Sequence, residues 1–127
     1  MTAMKTYLKQ QIEYYFSVEN LCKDIYMRQQ MDKDGYVNLV TLLKFKRIKS
    51  LINVAQDVDK KSGSTSKYDD VWSTNLIVNS LNNSEAVEVK KNGNDIKLRK
   101  KYDWNNWLNP DLKKGNCKLL IIIIIKF

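Results

Sequence analysis

The first third of the chain is organised by apolar residues that recur at helical spacing. One stripe consists of Met4, Leu8, Ile12, Tyr15 and Phe16. This spacing predicts a helix from about Lys5 to Phe16. A second helix is predicted over Leu21 to Met31, after the candidate caps Ser17 and Asn20. The Asp-x-Asp-Gly sequence at Asp32 to Gly35 is typical of a turn and ends that helix.

The middle of the chain predicts a short strand and two further helices. Tyr36-Val37 favours an edge strand, and the third helix has the apolar stripe Val40, Leu43, Phe45, Ile48, Leu51 and Ile52. The exposed face of this helix carries Lys44, Lys46, Arg47 and Lys49. The segment 57–70 lacks apolar periodicity and is interpreted as a mobile insertion. Ser73 or Thr74 then caps a helix that runs through Leu81.

A β ribbon closes the patterned part of the chain. Apolar and polar residues alternate over 87–90 and again over 96–99, across Asn92-Gly93, a favoured type I′ turn pair. Helices followed by an antiparallel hairpin predict an α+β, winged-helix-like domain that is mostly helical. We expect this domain to span residues 1–101.

Residues 102–127 are expected to form a non-globular extension. Trp104 and Trp107 bracket two asparagines, and Pro110 closes that segment. Near its end the chain carries two leucines and five isoleucines in a row, a run of high β-aggregation propensity without caps or alternation. We interpret this run as a dispensable tail, with a buried strand as the alternative.

Composition limits the classes of function. The chain has 22 Lys and Arg against 14 Asp and Glu, a net charge of +8, which favours a polyanionic partner, either nucleic acid or an acidic membrane surface. Its longest apolar run, Leu119–Ile125, has seven residues, whereas about 20 are needed to cross a bilayer. Histidine is absent, and Cys22 and Cys117 have no ligand-like companions, so we expect no metal, cofactor or catalysis. This cysteine usage fits a reducing compartment.

Specific motifs point to a known family. Residues 11–21 read Gln-Ile-Glu-Tyr-Tyr-Phe-Ser-Val-Glu-Asn-Leu; Asp24 and Tyr26 follow, then Asp-Gly-Tyr-Val at 34–37 and Lys-Phe-Lys-Arg at 44–47. This pattern resembles the La motif, and the later Trp-x-x-Trp-Leu segment is similar to the first La-related protein subfamily. The resemblance implies a winged-helix variant that binds RNA 3′ ends, favours poly(A) and regulates messenger RNA.

The first helix carries a candidate platform for bases. Gln11, Tyr14 and Tyr15 stand at i, i+3 and i+4, so they share one strip at the margin of the apolar stripe. Single-stranded RNA is read by aromatic stacking and by polar contacts to splayed bases. Tyr14 lies farthest from the stripe centre and is the better stacking candidate, whereas Tyr15 can both stack and pack. The alternative is that both tyrosines only pack in the core.

Asp24 is a carboxylate in a basic protein that is expected to bind a polyanion. It can accept hydrogen bonds from the 2′- and 3′-hydroxyls of a terminal ribose, a position where it would repel a terminal phosphate. A solvated helix acid is the alternative. Tyr26 stands where the family usually has phenylalanine, yet a regular helix would separate it from Asp24 by about 200°. Either the helix is irregular there, or the two residues line different walls.

Basic residues surround a further aromatic side chain. Phe45 is flanked by Lys44, Lys46 and Arg47, whose charges are able to meet phosphates. The resemblance places this aromatic in the RNA pocket, and a core phenylalanine beneath a solvated basic face is the alternative. A second basic cluster, interpreted either as an RNA-binding wing or as a lysine-protected sheet edge, consists of Lys97, Arg99, Lys100 and Lys101.

These features predict an RNA-binding module that captures the 3′ end of single-stranded RNA, with oligo(A) the expected sequence and mRNA stability or translation the expected role. We expect a monomer in the cytoplasm, or alternatively the nucleus, with no enzymatic activity and no membrane partner. Poly(A)-associated or translation proteins are the expected protein partners. Two alternatives stay open: a winged-helix domain whose third helix enters the major groove of duplex DNA, and a protein-interaction domain that docks Trp104, Trp107 and the apolar tail.

Overall fold

The leading apolar stripe forms the first helix of the computed structural model, which describes residues 1–108. Helix α1 runs from Thr2 to Tyr15, and the predicted stripe packs inward, with four fully or nearly fully buried side chains, Met4, Leu8, Ile12 and Phe16. α1 packs against two long helices from later in the chain, α5 (Lys46–Lys61) and α6 (Asp70–Ser80). These three helices form the core on which the remaining elements are arranged.

The predicted helix from Leu21 to Met31 is interrupted. It is replaced by α2 (Val18–Leu21) and α3 (Ile25–Gln29). The break lies at Asp24, whose backbone leaves the helical region at φ −100° and ψ 83°. Its Oδ1 accepts a hydrogen bond from the Met27 N–H at 2.9 Å. A side chain that bonds to the backbone in this way competes with continuation of the helix and starts a new one.

The predicted third helix is also two helices, α4 (Leu39–Leu42) and α5. Phe45 stands immediately before α5 with an extended backbone, φ −71° and ψ 135°. Spacing alone could not separate the two helices, because Leu42 and Ile48 on either side of the break are both buried. The break turns Phe45 out of the helical register and towards α1.

The segment 57–70 is less irregular than predicted. Helix α5 continues through Lys61, so the irregular part is 62–69. Its end is attached to the helices, since the Tyr68 hydroxyl donates to Asp59 Oδ2 at 2.8 Å and the Tyr68 ring packs edge-on against Trp72. The predicted caps Ser73 and Thr74 are wrong: Asp69 Oδ1 accepts the Trp72 N–H at 3.0 Å, so the cap of α6 lies four residues before Ser73.

A small antiparallel sheet packs against α4. Within residues 1–108 it has three strands in the order β1 (Val37–Asn38), β3 (Asp95–Lys100), β2 (Val87–Asn92). The hairpin turn is shifted by one residue from the prediction: its central pair is Gly93-Asn94, with positive φ only at Gly93. This φ pattern is that of a type II′ turn. The α+β, winged-helix-like fold with a hairpin wing is confirmed.

The folded unit does not end at Lys101, where the domain boundary was predicted. A 3₁₀ turn at Trp104–Trp107 returns to the helices, and Trp107 is only 3% exposed. The buried Arg28 donates from Nε to the Trp107 carbonyl oxygen and from Nη2 to that of Leu108, both at 3.3 Å. Residues 102–108 therefore belong to the domain. The predicted isoleucine tail lies outside the described residues.

Candidate functional site

Four aromatic rings form a continuous row where α1, α3 and the start of α5 meet. We call this row, Tyr14, Tyr15, Phe45 and Tyr26, the open cluster. The Tyr15 ring centroid lies 6.5 Å from that of Tyr14 and 5.1 Å from that of Phe45, and Phe45 lies 6.0 Å from Tyr26. The two breaks in the predicted helices bring these rings together, because they place Tyr26 in the first turn of α3 and Phe45 immediately before α5.

The outer and inner rings of the open cluster differ in exposure. Tyr14 is 38% exposed and Tyr26 is 58% exposed, whereas Tyr15 and Phe45 are half-buried and pack against the core. The alternative that Tyr14 is a core residue is therefore wrong. Tyr15 packs against the core, which is the packing half of the prediction that it can both stack and pack. Anchored inner rings with exposed outer rings form a surface on which flat, unpaired bases can stack.

Asp24 lies beside this row and is more than a solvated helix acid. Besides capping α3 with Oδ1, it accepts a hydrogen bond on Oδ2 from Asn20 Nδ2 at 3.1 Å. The same Asn20 amide donates to the Tyr15 carbonyl oxygen at 3.0 Å, and Asn20 is 5% exposed. The carboxylate is thus fixed relative to the open cluster. Each carboxylate oxygen can accept more than one hydrogen bond, so lone pairs remain for a ligand.

A cavity of about 390 Å³ adjoins the open cluster and is lined by Gln11, Tyr14, Tyr15 and Arg47. Partial burial raises the pKa of Tyr15, and this effect exceeds the opposing influences of the Gln11 hydrogen bond and the Arg47 charge. The predicted site residues Gln11 and Arg47 therefore meet at Tyr15. Lys44 and Lys46 are exposed on either side of Phe45 in the chain and do not line this cavity.

Two residues of this site were not predicted as functional. Lys23 places Nζ 5.8 Å from the centre of the Tyr14 ring, so a cation accompanies the outer ring of the open cluster. Asn20 was predicted only as a helix cap, whereas Ser17 caps α2 and Asn20 connects Asp24 to α1. The helix break that creates both contacts leaves no periodic signal in the sequence.

A second group of aromatic and charged residues lies at the wing and is internally paired. We call Tyr36, Arg99, Trp104 and Glu88 the closed cluster. The Arg99 guanidinium carbon lies 4.3 Å from the centre of the Tyr36 ring and 4.5 Å from that of Trp104, and the guanidinium forms an ion pair with Glu88. Trp104 also covers Gly35, where a Cβ atom would meet the indole at 2.7 Å and where φ is +84°. Glycine is required at this contact.

The side chains of the predicted basic wing are therefore already paired with other groups of the protein. Lys97 Nζ lies 3.5 Å from Asp32 Oδ2 and 3.9 Å from Asp95 Oδ2. Lys100 and Lys101 donate to main-chain carbonyl oxygens. These pairings favour a structural role of the wing over RNA binding. The predicted lysine-protected sheet edge is wrong, however, because Lys97, Arg99 and Lys100 lie on β3, the central strand of the sheet.

Among residues 1–108, no cluster of three or more His, Cys, Asp and Glu side chains is placed to hold a metal ion. None of the helices formed by these residues has the length and apolar character needed to cross a membrane.

The fold agrees with what comparison to known families finds. Residues 8–83 match the La domain, and the chain belongs to the La family. The predicted La motif is confirmed. The match includes the residues of the open cluster and Asp24, and it ends before the hairpin.

Similar La-type and La-related proteins support this assignment. An HTH La-type RNA-binding protein of Schizosaccharomyces pombe is 36% identical over 110 residues, which cover 84% of this chain and 19% of that protein. La-related protein 1C of Arabidopsis thaliana is 36% identical over 80% of this chain and 15% of its own length. La-related protein 4 of Mus musculus is 32% identical over 74% of this chain and 10% of its own length. The chain spans about a fifth or less of these relatives.

Proposed function

We propose that this chain binds single-stranded RNA and captures its 3′ end, with oligo(A) as the preferred sequence and mRNA stability or translation as the process served. One observation carries the proposal: exposed aromatic rings, a fixed carboxylate and the Arg47 guanidinium converge on the open cluster. The La family membership and the RNA-binding names of relatives support it. The arrangement favours binding rather than catalysis.

The recognition mechanism uses the parts of the site in turn. The terminal bases stack on Tyr14 and Tyr26, whose rings are the exposed members of the row. Asp24 accepts hydrogen bonds from the 2′- and 3′-hydroxyls of the last ribose. Arg47 neutralises a phosphate on the 5′ side. A terminal phosphate would bring negative charge against Asp24, so the site prefers a free hydroxyl end.

The competing protein-interaction function uses Trp104, Trp107 and the apolar tail for docking, and the tail lies outside the described residues. Trp107 is buried in the core, and the Trp104 ring packs against Arg99 and Gly35. Both indoles are thus engaged inside the domain. The duplex-DNA alternative instead places the first turn of α5 in the major groove. The open cluster would then face a double helix whose bases already stack on one another, so its exposed rings would have no free base to stack on.

The test compares oligo(A), oligo(U) and duplex DNA of equal length at one salt concentration. We expect oligo(A) to bind tightest, and a free 3′-hydroxyl to bind about ten- to a hundredfold more tightly than a 3′-phosphate, as charge-assisted hydrogen bonds of about 1.5 to 3 kcal/mol require. Tyr14→Ala weakens both ends alike, and Tyr102→Ala, an exposed tyrosine outside the open cluster, is its matched control. Preference for duplex DNA, or equal affinity for both ends, contradicts the proposal.

A further inference from the structure

A second cavity continues the first along the surface between α1 and α5. Its volume is about 470 Å³, and its lining consists of Tyr7, Gln10, Gln11, Arg47, Ser50 and Leu51. Gln11 and Arg47 line both cavities, so the two meet at these side chains. We call this second cavity the α1–α5 groove. It begins where the candidate site for the RNA end stops.

Helix α1 aligns the groove with the open cluster. Tyr7, Gln11 and Tyr14 stand at i, i+4 and i+7, which places them on one strip of the helix. Seven residues rise about 10 Å along a helix axis, a distance that stacked nucleotides at about 3.4 Å each cover in about three steps. Tyr7 is 54% exposed, so its ring is available at the far end of this strip.

The charge of the groove suits a nucleic-acid strand. Arg47 is its cation, and no carboxylate is found among the described side chains that line it. Glutamine amides at Gln10 and Gln11 can donate to and accept from base edges. RNA is therefore the occupant that the lining favours.

We propose that the α1–α5 groove binds the nucleotides directly 5′ of the captured RNA end, with Tyr7 as a stacking platform and Arg47 on the connecting phosphate. This proposal rests on the proposed function and sets the direction of the strand. With the terminal ribose at Asp24, the RNA runs past Tyr14 and Gln11 towards the N-terminus of α1. Tyr7 lies outside residues 8–83, so the match to the La domain does not include this platform.

The test measures oligo(A) affinity in a double-mutant cycle that combines Tyr7→Ala with abasic substitution of each interior nucleotide in turn. We expect Tyr7→Ala to weaken binding of the unmodified oligomer about 5- to 150-fold, the effect of one lost base stack. An abasic substitution at the nucleotide that stacks on Tyr7 should weaken the wild-type protein similarly and have no further effect in Tyr7→Ala. Tyr7→Phe should retain wild-type affinity, and Tyr102→Ala serves again as the exposed-tyrosine control.

The outcomes separate this proposal from the one on which it rests. Tyr7→Ala should keep the wild-type preference for a 3′-hydroxyl over a 3′-phosphate, because Asp24 is untouched. Wild-type affinity in Tyr7→Ala, or additive effects with every abasic position, overturns the groove proposal and leaves 3′-end capture standing. Equal binding of both RNA ends by the wild-type protein overturns 3′-end capture whatever Tyr7→Ala does.

Discussion

The open cluster and the closed cluster use the same kinds of side chain, aromatic rings beside cations, in opposite ways. In the closed cluster Arg99 lies against two rings and is paired with Glu88. In the open cluster the rings contact one another edge-on or tilted, and Arg47 forms no ion pair with any residue in 1–108. A cation already paired with a carboxylate has less to gain from a phosphate than an unpaired one.

This difference separates stability from recognition within one small domain. The closed cluster and the neighbouring 3₁₀ turn attach the end of the domain to the helices through Trp104, Trp107 and the buried Arg28. The open cluster leaves two rings exposed to solvent, which contributes less to folding and leaves stacking faces available. Substitutions in the closed cluster should therefore lower mainly the free energy of unfolding. Substitutions in the open cluster should lower mainly the RNA affinity.

The largest expected effect is on stability. Trp107→Ala should lower the free energy of unfolding by about 3 to 5 kcal/mol, since it empties a core position and exposes the buried Arg28. Urea unfolding measures this loss, and Tyr102→Ala, an exposed neighbour, should change it by no more than about 0.5 kcal/mol. A loss below about 1 kcal/mol for Trp107→Ala would instead place the end of the folded unit near Lys101.

The sequence predicted those parts of the fold that depend on local burial. The α1 stripe and the alternation of the hairpin are local patterns, and both elements form where expected. Trp107 could not be assigned in this way, because its partner Arg28 is 79 residues away in the chain. The helix break at Phe45 was missed, and the one at Asp24 was foreseen only as one of two alternatives, because each break depends on a single residue rather than on a period.

The candidate site was predictable to the extent that it lies in a contiguous motif. Gln11, Tyr14 and Tyr15 follow from one helix strip, and the structure places them together. Tyr7 belongs to the same strip, but it is an exposed tyrosine that only the neighbouring α5 turns into part of a groove. The wing shows the opposite case. Its basic residues look available for RNA binding in the sequence, but in the structure they are paired with carboxylate and carbonyl groups.

The second prediction compares the carboxylates of the two clusters. Asp24→Asn should reduce the preference for a 3′-hydroxyl over a 3′-phosphate from about ten- to a hundredfold to near equality, because the charge is lost. Asparagine still caps α3, so the domain should stay folded, whereas Asp24→Ala should also cost about 0.5 to 2 kcal/mol of stability. Glu88→Gln, the matched change in the closed cluster, should leave the preference intact. Unchanged end discrimination in a folded Asp24→Asn would remove the carboxylate from the mechanism.

The third prediction compares the arginines through the salt dependence of RNA affinity. Arg47→Gln should make the slope of log affinity against log salt shallower by about 0.7, the amount expected for one lost phosphate contact on a single strand. Arg99→Gln should lower the unfolding free energy and leave the slope unchanged, because Arg99 is already paired with Glu88. A wild-type slope steeper than about −6 would require more phosphates than an end-binding site can contact. Equal slope changes in the two variants would show that the wing also meets the RNA.

The smallest expected effect comes from the inner ring of the open cluster. Partial burial raises the pKa of Tyr15, so this phenol is neutral at physiological pH and RNA affinity should not follow its ionisation there. A pKa raised in the folded state stabilises the fold fully below the unfolded value of about 10, and the contribution is lost as pH rises through the folded pKa. Tyr15→Phe should therefore lose less stability than wild type between pH 9 and 11, about the range in which tyrosine ionises.

The wild-type curve minus the Tyr15→Phe curve isolates this contribution from other groups that titrate in the same range. Burial, helped by the hydrogen bond to Asp59, raises the pKa of Tyr68 as well, so part of the alkaline loss must persist in Tyr15→Phe. Urea unfolding at a series of alkaline pH values gives both curves. If they run parallel through this range, Tyr15 ionises as freely in the folded domain as in the unfolded chain, and the open cluster is more hydrated than its packing against Phe45 indicates.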